Sequence, residues 1–302
     1  MEKVIVTGGA GFIGSHIVDA LVERGDEVHI IDNYAGGKRE DRLNAKAIYH
    51  EVDVRDYDKI APIIVGAAYV FHEAALPRVQ FSIQNPQLTY DVNVMGTVSV
   101  LRAAGEGGVK RLIYAASSSA YGDQEKLPLS EDFPAQPKSP YGLQKYVNEL
   151  SCRLWSEVYG LSTVSLRYFN VYGPRFDPNG AYALVIGRFI DQRAKNQPMT
   201  IAGDGTHTRD YTNIRDIVRA NLLAAESPNV GVGEVINIGA GRNVSVNDLA
   251  AMIGGPTIKI EERLEPRDTI ADNQKAKKLL GWEPTVRLEE GITELKKAMG
   301  II

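Results

Sequence analysis

Tyr141 and Lys145 are the residues whose types and spacing best fit catalysis in this 302-residue chain. They are four residues apart, so on a helix they lie on one face, one turn from each other. A lysine ammonium in that position favours the phenolate form of the tyrosine, and we expect it to lower the tyrosine pKa toward neutrality. Such a tyrosine can accept a proton and return it. Ser117 is a third candidate, because its hydroxyl could hydrogen-bond the same substrate oxygen.

A glycine-rich loop near the N terminus predicts a dinucleotide-binding site. Gly8, Gly11 and Gly14 have the spacing GxxGxxG, after an apolar run and before a helical pattern that begins with Phe12 and Ile13. Glycines at these places allow a tight turn, a close approach of the backbone to a pyrophosphate and close helix–strand packing. The helix N terminus then offers free N–H groups and a partial positive charge to the phosphates.

Two acidic residues are placed to contact the rest of a dinucleotide. Asp32 ends the second apolar run, about where a ribose-binding acid is expected, ~20 residues after the loop. Its carboxylate would bind both ribose hydroxyls and repel a 2′-phosphate, which favours NAD over NADP, although Lys38 and Arg39 are close in sequence. Asp53 follows the third apolar run, and the residues alone leave it open between an adenine contact and an ordinary aspartate at a strand end.

The elements that must position these residues alternate between strand and helix patterns. We expect strands at 3–7, 28–31, 48–52, 69–72, 112–116 and 163–168, and helices at 12–24, 88–104 and 141–159. Ser139 and Pro140 fit the N-cap and the first position of the third helix. The alternation predicts an α/β fold, a Rossmann-type doubly wound parallel sheet. Strand carboxyl ends meet at one crevice in such a sheet, so Ser117 and Tyr141 should lie near the glycine loop.

The chain is expected to divide into two lobes. Residues 1–170 are predicted to form the NAD-binding Rossmann domain, and residues 212–240 to return to it through a helix at 214–226 and a strand at 234–239. Residues 171–302, in which Gly and Pro are frequent after position 171, are predicted to form mainly a smaller C-terminal α/β lobe for the substrate.

Composition excludes several classes of function. The hydrophobic content of 44% supports a large core, and a net charge of −4 argues against a nucleic-acid partner. No apolar run approaches the ~20 residues of a membrane span, and no targeting segment precedes the first strand, so we expect a cytoplasmic protein. Cys152 is the single cysteine, which excludes an intrachain disulfide and a thiolate metal cluster. We interpret it as a buried hydrophobe and expect no metal site.

Taken together, the motifs resemble the extended short-chain dehydrogenase/reductase family over essentially the whole chain. The matching segments are residues 7–14, 32–33, 53–54, 72–75, 93, 117–122, 139–141, 145, 166–170, 209–211 and 267–272. Within that family the chain is similar to UDP-hexose 4-epimerases. Dehydratases of the family need an additional acid and base to expel the C6 hydroxyl, and the run of three serines at 117–119 contains no acid.

The resemblance implies an activity and a set of contacts. Tyr141 would take the C4 hydroxyl proton while the C4 hydride passes to NAD+, and the hydride would return to the other face of the 4-keto sugar. The implied NAD contacts are Gly8, Gly11, Phe12, Ile13, Gly14, Asp32, Asn33, Asp53, Val54, Ala74, Ala75, Asn93, Tyr141, Lys145 and Phe169. The implied UDP-sugar contacts are Ser117, Ser118, Tyr141, Asn170, Arg209 and Thr269, with Arg263 and Arg267 competing to be a second pyrophosphate ligand.

The choice of sugar rests on a smaller set of residues. Residues 114–119 and 177–182 resemble the subgroup that acts on UDP-N-acetylglucosamine. Thr269 aligns with a position beside the C2 substituent, and a threonine is small enough to admit an N-acetyl group. A pocket of that size cannot strongly reject a smaller sugar, so UDP-glucose and UDP-galactose are expected substrates as well.

Three rival functions stay open. A UDP-glucuronate decarboxylase or 4-epimerase would need a cation for the C6 carboxylate, for which Arg78 is a candidate. A non-catalytic NAD-binding sensor or scaffold would keep the fold with a broken Ser/Tyr/Lys set, and here the set is intact. A simple ketone reductase would need added cofactor in each cycle. The resemblance also implies a homodimer, in which the helices at 88–104 and 141–159 form a four-helix bundle.

Overall fold

The computed structural model describes residues 1–77, 79–176, 185–261 and 267–302. The strands are β1 (Lys3–Thr7), β2 (Glu27–Asp32), β3 (Ile48–Glu51), β4 (Tyr69–His72), β5 (Arg111–Ser117), β6 (Thr163–Tyr168), β7 (Val171–Tyr172), β8 (Met199–Ala202), β9 (Thr208–Asp210), β10 (Thr212–Asn213), β11 (Val232–Ile238), β12 (Asn243–Ser245) and β13 (Thr257–Ile260). The helices are α1 (Phe12–Arg24), α2 (Tyr57–Ile64), α3 (Val79–Gln84), α4 (Pro86–Tyr90), α5 (Gly96–Glu106), α6 (Pro140–Tyr159), α7 (Val185–Ala194), α8 (Ile214–Glu226), α9 (Val246–Ile253), α10 (Gln274–Leu280) and α11 (Leu288–Ala298).

Seven of these strands form one parallel sheet in the order β3-β2-β1-β4-β5-β6-β11. The order reverses direction at β1, where Thr7 pairs with Ile31 on one side and with His72 on the other. Such a reversal opens a crevice at the carboxyl ends of the strands. The predicted Rossmann-type fold is confirmed, and the predicted strands match the observed ones to within one or two residues.

Helices cover both faces of the sheet. Leu21 of α1 and Ile217 of α8 belong to the apolar core on one face. Ile60 of α2, Leu101 of α5 and Cys152 of α6 belong to the core on the other. Strands that are buried on both faces read as continuous apolar runs, which is why the sequence pattern identified them. Cys152 is fully buried, as interpreted from the sequence.

The helix predicted at 88–104 differs from the structure in one respect. A π-helical turn at Asp91–Met95 separates α4 from α5. The Asn93 carbonyl within it accepts hydrogen bonds from Thr97 Oγ1 (2.6 Å) and from Asn148 Nδ2 of α6 (2.8 Å). Side-chain donors that take a carbonyl from the helical ladder are a recognised cause of such turns.

Helix α6 carries Tyr141 and Lys145, and its ends are fixed as predicted. The Ser139 hydroxyl accepts a hydrogen bond from the Gly142 N–H (3.1 Å), and Pro140 occupies the first helical position. Gly160 ends the helix in the left-handed conformation, with φ of 69°. The cap therefore holds Tyr141 in the first turn, beside the carboxyl ends of the strands.

A third apolar cluster lies in the C-terminal part of the chain. Phe189 of α7, Leu249 of α9 and Leu295 of α11 pack together there. Short two-stranded pairings, β8 with β13 and β9 with β12, accompany them. This cluster fits the predicted smaller C-terminal α/β lobe, whose bounds stay a prediction. Strand β11 pairs with β6 in the large sheet.

Candidate active site

A cavity of about 580 Å³ opens at the carboxyl ends of β1, β2 and β4. Its wall contains the predicted glycine loop and residues at, or just after, the ends of β2, β3 and β4. The predicted cofactor residues on the wall are Gly8, Gly11, Phe12, Ile13, Gly14, Asp32, Asn33, Asp53, Val54, Ala74 and Ala75. The parallel sheet therefore brings together residues from four separate parts of the sequence.

The glycine loop has the close packing that a pyrophosphate cradle requires. Gly8 has a φ of 70°, and a Cβ on it would lie 2.7 Å from the Ala74 nitrogen. A Cβ on Gly14 would lie 2.9 Å from both the Gly8 carbonyl carbon and the Gly9 Cα. Gly11, the N-cap of α1, has no side chain to occupy the N–H groups of the first turn. The loop thus fits a dinucleotide at the helix N terminus.

Asp32 is held in place by two backbone N–H groups at the edge of the cavity. It accepts hydrogen bonds from Tyr34 N (2.8 Å) and Ala10 N (3.0 Å). Burial raises the pKa of its carboxyl, and those two hydrogen bonds oppose the rise. Both oxygens still have a lone pair for further donors, so the site fits a ribose diol.

Asp53 forms an ion pair at the same end of the cavity. The Arg55 guanidinium donates to both of its oxygens (2.9 and 2.8 Å), and Asn33 Nδ2 donates to Oδ2 (2.8 Å). Hydrogen bonds from Arg55 lower the pKa of Asp53 to about 2. Val54, the next residue, is buried in the wall of the cavity.

Four predicted cofactor residues are not part of this wall: Asn93, Phe169, Tyr141 and Lys145. The Asn93 amide accepts from Leu76 N (2.7 Å) and donates to Leu76 O (3.1 Å) and Gln144 Oε1 (2.7 Å). It therefore holds the segment after β4 in position. Phe169 is fully buried and packs on Tyr121 with ring centroids 6.3 Å apart. Direct contact of these four side chains with a cofactor stays a prediction.

Ser117, Tyr141 and Lys145 meet at the ends of β5 and α6. The Ser117 hydroxyl is close enough to the Tyr141 phenol to affect its pKa, and Ser117 Oγ accepts a hydrogen bond from Ser119 Oγ (2.9 Å). The Lys145 ammonium donates to the Ala115 carbonyl (2.6 Å) and lies 5.9 Å from the Tyr141 ring centre. Ser118 begins the short turn Ser118–Ala120. The predicted catalytic residues are thus in mutual reach.

The electrostatics of this cluster correct one expectation. Burial raises the pKa of Tyr141 to about 12, and the nearby Ser117 hydroxyl only partly opposes the rise. The pKa of Tyr141 is therefore raised, not lowered toward neutrality, although Lys145 Nζ lies 5.9 Å from its ring centre. Burial also lowers the pKa of Lys145 itself.

The predicted sugar-nucleotide residues gather around Asp210. Asn170 Nδ2 donates to the Asp210 carbonyl (3.0 Å), and the Asp210 N–H points to Thr269 Oγ1 (3.4 Å). Arg209 Nη1 donates to the Arg267 carbonyl (3.0 Å). The Arg267 side chain is mostly exposed and lies 3.8 Å from Asp268.

Some predicted residues lie outside the described parts of the chain. They are Arg78, Arg263 and the segment 177–182. The competition between Arg263 and Arg267 for the pyrophosphate therefore stays open, as does the role of Arg78.

The sequence analysis did not predict several residues of the cavity wall, among them the charged residues Arg42 and Glu73. Arg42 is buried beside Asp32, and its Nη2 donates to the Arg175 carbonyl (2.7 Å). Nothing in the sequence distinguishes it from a solvated loop arginine. Glu73 is 9% exposed and lines the cavity after β4. A charged residue directly after an apolar strand was the available signal for it.

Residues 1–77, 79–176, 185–261 and 267–302 contain no group of three or more His, Cys, Asp or Glu side chains placed to hold a metal ion. Among the same residues, no helix combines the length and apolar character needed to cross a membrane.

Known proteins resemble the chain over nearly its full length. The model of the "NAD dependent epimerase/dehydratase family" matches residues 4–239. A "Putative UDP-glucose 4-epimerase" of Methanocaldococcus jannaschii is 41% identical over 297 residues, which cover 96% of this chain and 95% of that protein.

Solved structures show the same fold. The crystal structure of a UDP-glucose 4-epimerase from Thermotoga maritima with UDP-glucose has a TM-score of 0.93 and 39% identity, and covers 98% of this chain and 97% of its own. A UDP-N-acetylglucosamine 4-epimerase from Methanobrevibacter ruminantium, in complex with UDP-N-acetylmuramic acid, has a TM-score of 0.93 and 35% identity, and covers 100% of this chain and 99% of its own.

Proposed function

Because the chain belongs to the NAD dependent epimerase/dehydratase family, we propose that it interconverts UDP-sugars that differ in configuration at C4. The named relatives confirm the predicted epimerase class and the NAD cofactor. The observation that carries the proposal for this chain is the meeting of Ser117, Tyr141 and Lys145 beside the glycine-lined cavity.

The cavity provides distinct contacts for each part of NAD. The N terminus of α1 would bind the pyrophosphate, Asp32 the adenosine ribose, and the Asn33–Asp53 pair the adenine. Ala74 and Ala75 continue the wall toward the catalytic cluster. When bound, NAD+ would accept the C4 hydride and hold it until it is returned, and it would bring a positive charge to the site.

Tyr141 and Ser117 would handle the proton of the C4 hydroxyl. The Tyr141 phenol and the Ser117 hydroxyl are close to each other, so one substrate oxygen would contact both. Tyr141 would accept the proton as C4 is oxidised to the ketone and donate it back as C4 is reduced. The pKa of Tyr141, raised by burial, makes the phenol the resting form, so nearby positive charge must assist ionisation.

The nucleotide part of the substrate would bind around Asp210. Arg209 and Asn170 are held beside it by backbone contacts, and an arginine pairs well with a phosphate oxygen. Either Arg263 or Arg267 would supply the second cation. This arrangement leaves the sugar ring facing Ser117, Ser118 and Tyr141.

UDP-N-acetylglucosamine is the proposed acetylated substrate, with UDP-glucose accepted as well. Thr269 is buried next to the Asp210 N–H and presents only a hydroxyl and a methyl group. A residue of this size leaves room for an N-acetyl group at C2. If Thr269 lines that pocket, Thr269→Tyr should abolish turnover of UDP-N-acetylglucosamine and largely spare UDP-glucose.

The test is to incubate the purified protein with single UDP-sugars, without added cofactor, and to identify products by NMR. We expect the C4 epimers of UDP-glucose and UDP-N-acetylglucosamine. Tyr141→Phe is the control, because it removes the proton acceptor and keeps the aromatic ring. Carbon dioxide or a C4 epimer from UDP-glucuronate alone would favour the glucuronate enzymes. Turnover only with stoichiometric NADH would favour a ketone reductase, and no turnover of any sugar would favour a sensor.

A homodimer through α4, α5 and α6 is part of the proposal. Leu150, Leu154 and Val158 form a stripe at helical spacing on α6, and all three are exposed. Tyr90 and Met95 add exposed apolar surface on the neighbouring helix. Apolar patches of this kind are typical of a protein interface.

Sedimentation would test the dimer. Leu154→Glu should produce a monomer, whereas Val65→Glu, at an exposed apolar residue after α2, should leave the dimer unchanged. A wild-type monomer at micromolar concentration would refute it. A cytoplasmic location stays a prediction that fractionation of cells would test.

A further inference from the structure

Lys145 is a buried cation whose ammonium lies against an aromatic ring. The residue is 4% exposed, and its Nζ lies over the ring of Tyr114, 4.9 Å from the ring centre. The face of a tyrosine ring is negative, and it attracts an ammonium within about 6 Å of its centre, most strongly where water is excluded. Because a buried charge is costly without compensation, this contact offsets part of the cost of burying Lys145.

Strand β5 supplies both the ring and a carbonyl to the ammonium. Lys145 Nζ donates a hydrogen bond to the Ala115 carbonyl (2.6 Å), and Tyr114 is the preceding residue. Successive side chains of a strand point to opposite faces of the sheet. Tyr114 points to the face that α6 covers, where it belongs to the same apolar core as Cys152 of that helix. The packing of α6 on β5 therefore brings the ammonium to both groups.

The Tyr114 ring is fixed by its own buried contacts. Its hydroxyl accepts a hydrogen bond from Asn148 Nδ2 (2.9 Å), and the same amide donates to the Asn93 carbonyl (2.8 Å). Asn148 lies three residues after Lys145 on α6 and is 1% exposed. The His72 ring packs on the Tyr114 ring, with centres 5.8 Å apart. The ring therefore cannot turn away from the ammonium without breaking these contacts.

The two carboxyls whose charges reach Lys145 each have another partner. Glu149, one turn along α6, accepts two hydrogen bonds from the Arg167 guanidinium, at 2.8 and 2.7 Å. Glu73 accepts one from the Tyr168 hydroxyl (2.8 Å), and Tyr168 belongs to the apolar core on the opposite face of the sheet. The charges of both carboxyls therefore act on Lys145 from a distance, whereas the Tyr114 ring is in contact with it.

The other titratable groups around the lysine are uncharged at neutral pH. Burial lowers the pKa of His72 to about 3, so its imidazole is neutral. Burial raises the pKa of Cys152 and that of Tyr141 to about 12. It also raises the pKa of Tyr114 well above its usual value, so the ring is that of a neutral phenol. These four groups supply no negative charge to balance the ammonium.

We propose that Tyr114 is a positioning residue whose ring holds the Lys145 ammonium at the end of β5 and stabilises its charge through a cation–π contact. Loss of the ring should make the ammonium easier to deprotonate. That the Lys145 charge assists proton exchange by Tyr141 rests on the proposed function, whereas the contact of Lys145 with Tyr114 does not. Under that function, the alkaline limit of activity would move to lower pH when the ring is lost.

Two substitutions separate the ring of Tyr114 from its hydroxyl. Tyr114→Phe keeps the aromatic face and removes the hydrogen bond from Asn148. Tyr114→Leu removes the aromatic face as well and keeps an apolar side chain. A cation–π role predicts that Lys145 responds to Tyr114→Leu much more than to Tyr114→Phe. A role that depends on the hydroxyl predicts equal responses, because both variants lack it.

The direct measurement is the titration of Lys145 in NAD-loaded protein labelled with 13C at lysine Cε. Lys145→Arg identifies the resonance. We expect Tyr114→Leu to lower the Lys145 midpoint by about one pH unit, and Tyr114→Phe to leave it within about 0.3 unit of wild type. The alkaline limb of the pH profile of kcat/KM should shift in the same order.

Fluorinated phenylalanines at position 114 provide a second measurement if Tyr114→Leu does not fold. Fluorine withdraws electron density from the negative face of the ring and changes its size little, so the Lys145 midpoint should fall with each added fluorine. A midpoint that stays constant across this series, or that is equal in Tyr114→Phe and Tyr114→Leu, would overturn the proposal. The titration requires no turnover, so it remains informative if the enzyme proves not to be an epimerase.

Discussion

Gly14→Ala should prevent the protein from holding NAD while leaving its fold intact. A Cβ at this position would lie 2.9 Å from both the Gly8 carbonyl carbon and the Gly9 Cα, and it would approach the Gly8 carbonyl oxygen more closely still. Ordinary contacts begin at 3.4 Å. These atoms are all backbone, so no side chain can rotate away. The loop must therefore move from the start of α1 by at least about 0.5 Å.

The cost to binding follows from hydrogen-bond geometry. A displacement of about 0.5 Å takes an N–H···O distance of ~2.9 Å beyond the normal range of ~2.7–3.2 Å. A hydrogen bond to a charged group contributes about 1.5–3 kcal/mol. If two bonds to the pyrophosphate are lost, the cost is about 3–6 kcal/mol. That corresponds to about 10²–10⁴-fold weaker binding of NAD.

NAD released from the denatured protein measures how much was bound, and calorimetric titration of the stripped protein gives the Kd. Gly36→Ala is the matched control. Gly36 lines the same cavity, but a Cβ there would meet nothing within 4 Å. We expect the control to retain its NAD. Equal NAD content in the two variants would refute the argument that close packing of this loop determines cofactor binding.

Three further predictions concern single side chains. Tyr141→Phe should reduce turnover at least about 100-fold with no loss of bound NAD, and full activity would exclude Tyr141 as the proton acceptor. Glu149→Gln leaves the buried Arg167 guanidinium without a carboxylate partner and should lower the free energy of unfolding in urea by about 3–5 kcal/mol. A loss below about 1 kcal/mol would show that water compensates the unpaired charge. Arg55 lowers the pKa of Asp53 from 3.8 to about 2. The pair therefore adds to the free energy of unfolding at a pH above that range, and this contribution is lost as the pH falls toward 2. In Arg55→Gln, the free energy of unfolding in urea should depend less steeply on pH across that range. An unchanged slope would contradict the conclusion that Arg55 lowers the pKa of Asp53.

Local patterns were sufficient to predict the large sheet and the ends of α6. The central strands β1, β4, β5 and β6 are buried on both faces, so their apolar runs are nearly continuous in the sequence. The cap at Ser139 and the glycine at 160 act within a few residues of the helix they limit. For the same reason, the spacing of Tyr141 and Lys145 placed both residues on one helix, α6, without any knowledge of its surroundings.

Features that depend on distant contacts were not predictable in this way. The π-helical turn at Asp91–Met95 exists where Asn148, 55 positions along the chain, donates to the Asn93 carbonyl. The raised pKa of Tyr141 depends on how deeply the finished fold buries the phenol and on where Lys145 points. Neither quantity can be inferred from the spacing of the two residues.

Asp210 explains how the C-terminal lobe is positioned against the large sheet. Its carboxylate accepts hydrogen bonds from Ala240 N (2.7 Å) and Gly241 N (3.0 Å), just after β11, and from Ala271 N (2.9 Å). The residue is fully buried, and burial raises the pKa of its carboxyl to about 6. A buried carboxylate is tolerated only with such donors, so neither segment can move away without exposing an unsatisfied charge. Thr269, two residues before Ala271, is therefore fixed relative to the sheet that contains Ser117, although 152 positions separate the two residues.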